Sequence, residues 1–159
     1  MRTAKDMFVY FLNDMYSIES ATLSLTRDLA NKARDPEIKR DLEEHIEETR
    51  RQMRRLRSIV RRYGGKIAAT KAAIFSILSI GSNAFQWTQT NLKQEELRML
   101  YDGIMIENME VGSYKALIAM AKSLDDMQSV SELLLSLEEE KAMSEKTEKQ
   151  ILNYLKQAA

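Results

Sequence analysis

Two stretches of the chain, residues 1–34 and 113–159, contain neither glycine nor proline. Glycine loosens a helix and proline breaks its hydrogen-bond ladder, so long runs lacking both are the raw material of long helices. Five glycines and one proline in 159 residues also leave too few turn formers for a strand-rich fold. The length suits one domain, 1–159, and 44% hydrophobic residues suffice for a single core. The chain is read as all-α.

Apolar spacing divides it into four helices. Phe8, Leu12, Met15, Glu19, Thr22 and Thr26 recur every three or four residues, predicting a helix over about 3–32. Asp35 and Pro36 read as an N-cap and first-turn proline. They open a helix over about 36–63 with Ile38, Leu42, His45, Thr49, Met53, Leu56 and Val60 on one stripe. Acids crowd its first half and arginines its second, complementing the helix dipole, and Gly64-Gly65 ends it. Residues 64–90, rich in Ala, Ile, Ser and Leu, are read as a crossover with one short helix. Asn91 with Gln94 resembles a capping box opening a third helix over about 91–123. Its stripe is Leu97, Leu100, Ile104, Glu107, Val111, Tyr114, Ile118 and Ala121. Asp125 with Gln128 caps a fourth, over about 126–157, with Val130, Leu133, Leu137, Glu140, Ser144, Thr147, Ile151 and Tyr154 facing inward. Two helical hairpins joined by a long crossover make an antiparallel four-helix bundle.

Glu19, His45, Glu107 and Glu140 interrupt these apolar ladders, one on each helix. A buried carboxylate costs several kcal/mol unless paired or coordinated, so one per helix asks for a common cause. Glu19 lies about 14 residues before the first turn and Glu48 about 15 after it, which brings them to one height at roughly 1.5 Å per residue. Glu107 and Glu110 lie about 17 and 14 residues before the second turn, and Glu140 about 16 after it. His45 and Glu48 share a helix face at i, i+3, as do Glu107 and Glu110. Five carboxylates and one imidazole at mid-bundle form a ligand set for two divalent cations. The same residues also admit a plainer reading, with charged heads reaching solvent from the stripe's edge and the histidine packed as a core residue. By periodicity Glu110 is expected to be half-exposed.

With no cysteine and one histidine, the chain cannot form disulfides, a zinc finger or a thiol nucleophile. The run Arg50–Lys66 carries eight cations and no acid. It lacks interleaved aromatics and the net charge is zero, so nucleic acid is not expected as a partner. Met1–Tyr10 has no apolar block of the signal-peptide kind, and Ala72–Gly81 is about half a bilayer span. Neither a membrane partner nor secretion is expected, and ten methionines without a cysteine fit a reducing, cytoplasmic setting.

Four short motifs resemble one family. Asp14-Met15-Tyr16-Ser17-Ile18-Glu19 is similar to D-x-Y-S-A-E of the YciE/YciF-like branch of the ferritin-like superfamily. His45-Ile46-Glu47-Glu48-Thr49 resembles its H-L-E-E-T. Glu107-Asn108-Met109-Glu110-Val111, followed by Ser113-Tyr114, resembles V-E-H-Y-E-I-A-S-Y, and Glu138-Glu139-Glu140-Lys141-Ala142 resembles E-E-E-K-A. The resemblance implies a ferritin-like bundle, a homodimer and a link to stress response. It also implies a dinuclear site on Glu19, Glu48, Glu107, Glu110 and Glu140 with His45 beside them. Asn108 and Ser144 stand where the family has a histidine and an aspartate, which puts metal affinity in question.

Two functions follow. In one, two iron or manganese ions react with dioxygen or peroxide, in an oxidase- or peroxidase-like activity, and Tyr16 or Tyr114 assists as a redox or hydrogen-bonding group. In the other, the chain is a metal-free structural or interaction module, with Ile74, Phe75, Ile77, Leu78, Phe85 and Trp87 of the crossover as a seam against a partner copy.

Overall fold

The computed structural model describes residues 3–68 and 92–158, with backbone alone for the first residues of the third helix and the last of the fourth. The helices are α1 (Ala4–Lys32), α2 (Pro36–Arg62), α3 (Leu92–Ser123) and α4 (Met127–Ala158), and the described residues contain no strand.

Local chemistry sets the ends. Thr3 opens α1 with a capping box. Its hydroxyl accepts from the Asp6 N–H at 3.1 Å, and its own N–H donates to the Asp6 carboxylate at 2.8 Å. Asp35 caps α2, accepting from the N–H groups of Glu37 and Ile38 at 2.7 and 3.3 Å. Gly64, at φ 72°, turns the chain out of α2, and the Gly65 N–H donates back to the Val60 carbonyl at 3.0 Å. The α3–α4 turn departs from expectation by one residue. Asp125 adopts a left-handed φ of 55°, and Asp126 is the cap, accepting from the Ser129 N–H at 2.9 Å. The left-handed residue reverses the chain, so the helix begins only after it.

Side-chain pairs fix the topology. Thr22 meets Glu110 while Glu19 meets Tyr114, so α1 and α3 are antiparallel. Gln52 meets Glu140 while Arg62 meets Glu132, so α2 and α4 are antiparallel. Because α1–α2 and α3–α4 are hairpins, α2 and α3 point the same way, and the ends that residues 63–91 join lie at opposite ends of the bundle. The short crossover helix, the apolar seam of Ile74 to Trp87 and the Asn91–Gln94 box lie outside the described residues.

The half of the bundle nearest the α3–α4 turn is built around an apolar cluster. Phe8, Leu12 and Met15 pack there with Leu56, Ile59, Val60, Leu117 and Leu133, all at most 3% exposed. Tyr63 seals that end, its ring edge-on to Phe8 at 5.4 Å and its hydroxyl donating to Asp126 at 2.9 Å. One turn beyond this core the inward positions become polar.

Candidate metal centre

The helices that build the core also build the polar layer. Continuing α1 past Met15 leads to Glu19, and following α4 past Leu137 leads to Glu140. Moving back along α3 from Val111 gives Glu110 and Glu107, and along α2 from Leu56 gives Gln52, Thr49 and His45. Glu19, Glu110 and Glu140 are 0% exposed, His45 1% and Glu107 4%. One donor atom from each of His45, Glu107, Glu110 and Glu140 lies within 4.8 Å of the others. Donors roughly 2.0–2.3 Å from one ion stand at most about 4.6 Å apart, so this spacing is close to that of a coordination shell.

Three of the carboxylates, Glu19, Glu110 and Glu140, are each held by a hydrogen bond at one oxygen and free at the other. Tyr114 donates to Glu19 Oε1, Thr22 to Glu110 Oε1 at 2.9 Å, and Gln52 to Glu140 Oε1. Glu107 Oε1 faces His45 Nε2 at 3.4 Å. The Oε2 atoms of Glu19, Glu107, Glu110 and Glu140 and both ring nitrogens of His45 are buried without a hydrogen-bond partner. Orphaned buried donors and acceptors are rare in native interiors, and here they converge in one layer. Carboxylate oxygens with an imidazole nitrogen are the donor set of hard and borderline divalent cations, and the residues fit such ions.

Electrostatics agree with the geometry. Burial, then the charge of Glu140, pushes Glu19 well above the usual carboxylate range, although its bond from Tyr114 opposes this. Burial and neighbouring carboxylates likewise raise Glu110 and Glu140, and Glu107 is pushed up to about 8. Burial disfavours a charged His45, but Glu48 beside it and the surrounding carboxylates outweigh that and raise it. With no cation the layer therefore holds protons, and a divalent cation would displace them.

Among the six sequence candidates, the structure brings His45, Glu107, Glu110 and Glu140 together in one group. Glu19 is buried beside them, outside that group, with Tyr114 on one oxygen. Glu48 is at the edge. Its side chain is 30% exposed, with Oε2 3.5 Å from His45 Nδ1 and Oε1 3.7 Å from Arg51, and contact with His45 lowers its pKa. Glu110, expected half-exposed, is fully buried because Thr22 of α1 receives it across the α1–α3 seam. Tyr114 donates across the bundle to Glu19 rather than to Glu110 one turn back on its own helix, whereas Tyr16 accepts from Arg57 at 2.5 Å and takes no part. Ser144, assigned to the inward stripe, is only partly buried and accepts from exposed Asn108 at 3.1 Å. The two departures from the family pattern thus meet each other at the rim. Sequence reasoning missed Gln52, whose one signal was its place seven residues, two turns, after His45.

The arginine run on α2 is largely engaged. Arg55 forms a two-pronged pair with Glu139 at 2.6 and 3.0 Å, Arg62 pairs with Glu132 at 2.9 Å, and Arg50 pairs with Glu47.

The family profile described as "Domain of unknown function (DUF892)" matches residues 3–159. The chain belongs to the DUF892 family. Protein YciF of Escherichia coli (strain K12) is 29% identical over 147 residues, covering 89% of this chain and 86% of that protein. The crystal structure of the E. coli stress protein YciF superposes with a TM-score of 0.87 at 25% identity, covering 98% of this chain and 99% of that one. YcfI of Rhodopseudomonas palustris superposes with a TM-score of 0.82 at 23% identity, over 92% of this chain and 94% of that one. This DUF892 chain is therefore YciF-like, with the four-helix bundle of its structural relatives. Among the described residues, no helix is long and apolar enough to cross a membrane.

Proposed function

We propose that this DUF892 protein holds two divalent metal ions, iron or manganese, at mid-bundle and reacts there with dioxygen or peroxide as part of a stress response. The observation that carries the reading is the convergence of buried carboxylate oxygens that lack a hydrogen-bond partner around a buried imidazole whose two nitrogens face only carboxylates. A metal-free module gains nothing from such a layer, which costs several kcal/mol of desolvation relative to an apolar core of equal volume.

In this reading His45, Glu107, Glu110 and Glu140 would hold one ion, and Glu19, buried beside them, would contribute to holding the second. Bound ions of this kind supply oxidant binding and electrons for its reduction. The chain's own residues do the rest. Tyr114, Thr22 and Gln52 fix the orientation of Glu19, Glu110 and Glu140 by holding one oxygen of each. Glu48 orients the ring of His45 and, as the most exposed carboxylate of the set, is the group through which protons leave. The apolar half of the bundle keeps bulk water from one side. The relation to the E. coli stress protein supports the physiological setting.

Elemental analysis of protein purified without added metal, followed by anaerobic ferrous titration and exposure to air, tests the reading. The expected result is two ions per chain, oxidation on exposure to air, and loss of uptake in Glu107→Ala and Glu19→Ala. Folded protein that takes up no metal would falsify it.

A further inference from the structure

On the other side of the polar layer, toward the α1–α2 turn, the four helices leave a cavity of about 30 Å³. At roughly 10–15 Å³ for one water, it has room for about two. Glu107 and Thr22 lie at its inner end, so it abuts the candidate metal centre. Leu29, Leu42, Met99, Gly103 and Gln150 of its wall are only half-buried. The cavity thus lies between residues that meet solvent and the buried polar layer.

A buried water needs two to four polar partners, and the lining supplies them. Glu107 Oε2 is a buried acceptor with no bond of its own. A hydroxyl carries one donor and two acceptor sites, so Thr26 and Thr147 can accept from water even where their own protons go to a carbonyl one turn back. Gln150 gives one amide proton to Asp41 at 2.8 Å, which leaves its second amide proton and its carbonyl oxygen. Thr147 and Gln150 are three residues apart on α4 and share a face, so hydroxyl and amide follow one another away from the layer. An occupant without hydrogen bonds to give would leave Glu107 Oε2 orphaned, whereas water completes it.

Gly103 lines the same space beside Thr147. A Cβ built there meets only Thr147 Cγ2, at an ordinary 3.8 Å. A longer side chain at this position would grow into the cavity.

We infer that this cavity is an internal water site, a hydrated passage by which solvent enters from the Gln150 end and reaches Glu107. The apolar cluster shields the polar layer on one side, and on this side the layer is wet. The inference does not rest on the proposed metal centre, because the space and the orphaned oxygen exist without an ion.

Metal-free protein is therefore the sample that tests it. Oxygen-17 magnetic relaxation dispersion counts long-lived waters, and nuclear Overhauser effects from water place them against methyl groups. The expected result is contacts from water to the methyls of Thr26, Ile38, Leu42 and Thr147, with no shift of those methyls under xenon, a probe of dry apolar cavities. Gly103→Leu abolishes the water contacts, and Gln150→Leu, which seals the outer end, lengthens the residence time several-fold. Thermal unfolding of both variants reports that the fold is intact. Xenon shifts without water contacts, or contacts that survive unaltered in Gly103→Leu, overturn the water site. A residence time unchanged in Gln150→Leu overturns the passage. Water found there in a protein that takes up no metal supports this inference and overturns the proposed function alone.

Discussion

The chemistry of the polar layer depends on how each carboxylate divides its two oxygens between the protein and the open space. Glu110 gives one to Thr22 and leaves the other unpaired among like charges. Glu110→Gln keeps the shape while removing a group that desolvation and its neighbours, Glu140 and Glu19, make costly to ionise. The expected outcome has opposite signs in two assays: calorimetry finds the metal-free variant as stable as the parent or more so, and equilibrium dialysis finds metal uptake lost. Tyr114→Phe acts the other way. It strips Glu19 of its buried donor, so the metal-free protein should lose about 1–2 kcal/mol in denaturant titration while uptake persists with weaker affinity. Glu19, His45, Glu107 and Glu140 were legible in the sequence because each occupies an apolar ladder position. Glu110 and Gln52 were less so. A ladder describes one stripe, but a helix facing two neighbours buries a wider arc, and α3 meets both α1 and α4.

At the scale of the element, the four helices were readable because glycine and proline are confined to a few places and cap residues mark most ends. Asp35 and Pro36 start α2 where a cap and first-turn proline should. The α3–α4 turn was displaced by one residue, since Asp125 and Asp126 are chemically identical and only backbone conformation distinguishes them. That distinction yields a test. Asp125, at φ 55°, bears the left-handed strain, and Asp126 bears the cap and the Tyr63 hydroxyl. Asp125→Gly should raise stability by up to about 1 kcal/mol, whereas Asp126→Ala should lower it by about 1–2 kcal/mol. Chemical denaturation of the two single variants reads the contrast. Equal effects would mean that the turn is not built this way. The connection between α2 and α3 had no comparable signal, because its apolar run suits packing over the bundle end and a seam between copies equally well.

The whole molecule joins an apolar half, a proton-holding layer and a half containing a cavity, and its stability should therefore depend on pH in a direction unusual for a carboxylate-rich protein. Carboxylates raised by folding bind more protons in the native than in the unfolded chain, so metal-free stability falls as pH rises. For Glu107 the window runs from the ordinary 4.5 to about 8, and its contribution is on the order of a few kcal/mol. His45, raised above 6.5, adds a loss in the same direction over the upper part of that window. Glu48, held below 4.5, opposes it only in more acidic solution, where protonation removes its pairing with His45. The melting temperature of metal-free protein should accordingly fall between about pH 5 and pH 8. Bound divalent ions would replace those protons, so affinity should rise with pH and the loaded protein should hold its melting temperature over the same range. Calorimetry with and without metal across that window measures the widening gap. A metal-free protein that grew more stable toward pH 8 would mean the layer is already ionised and paired by groups outside the described residues.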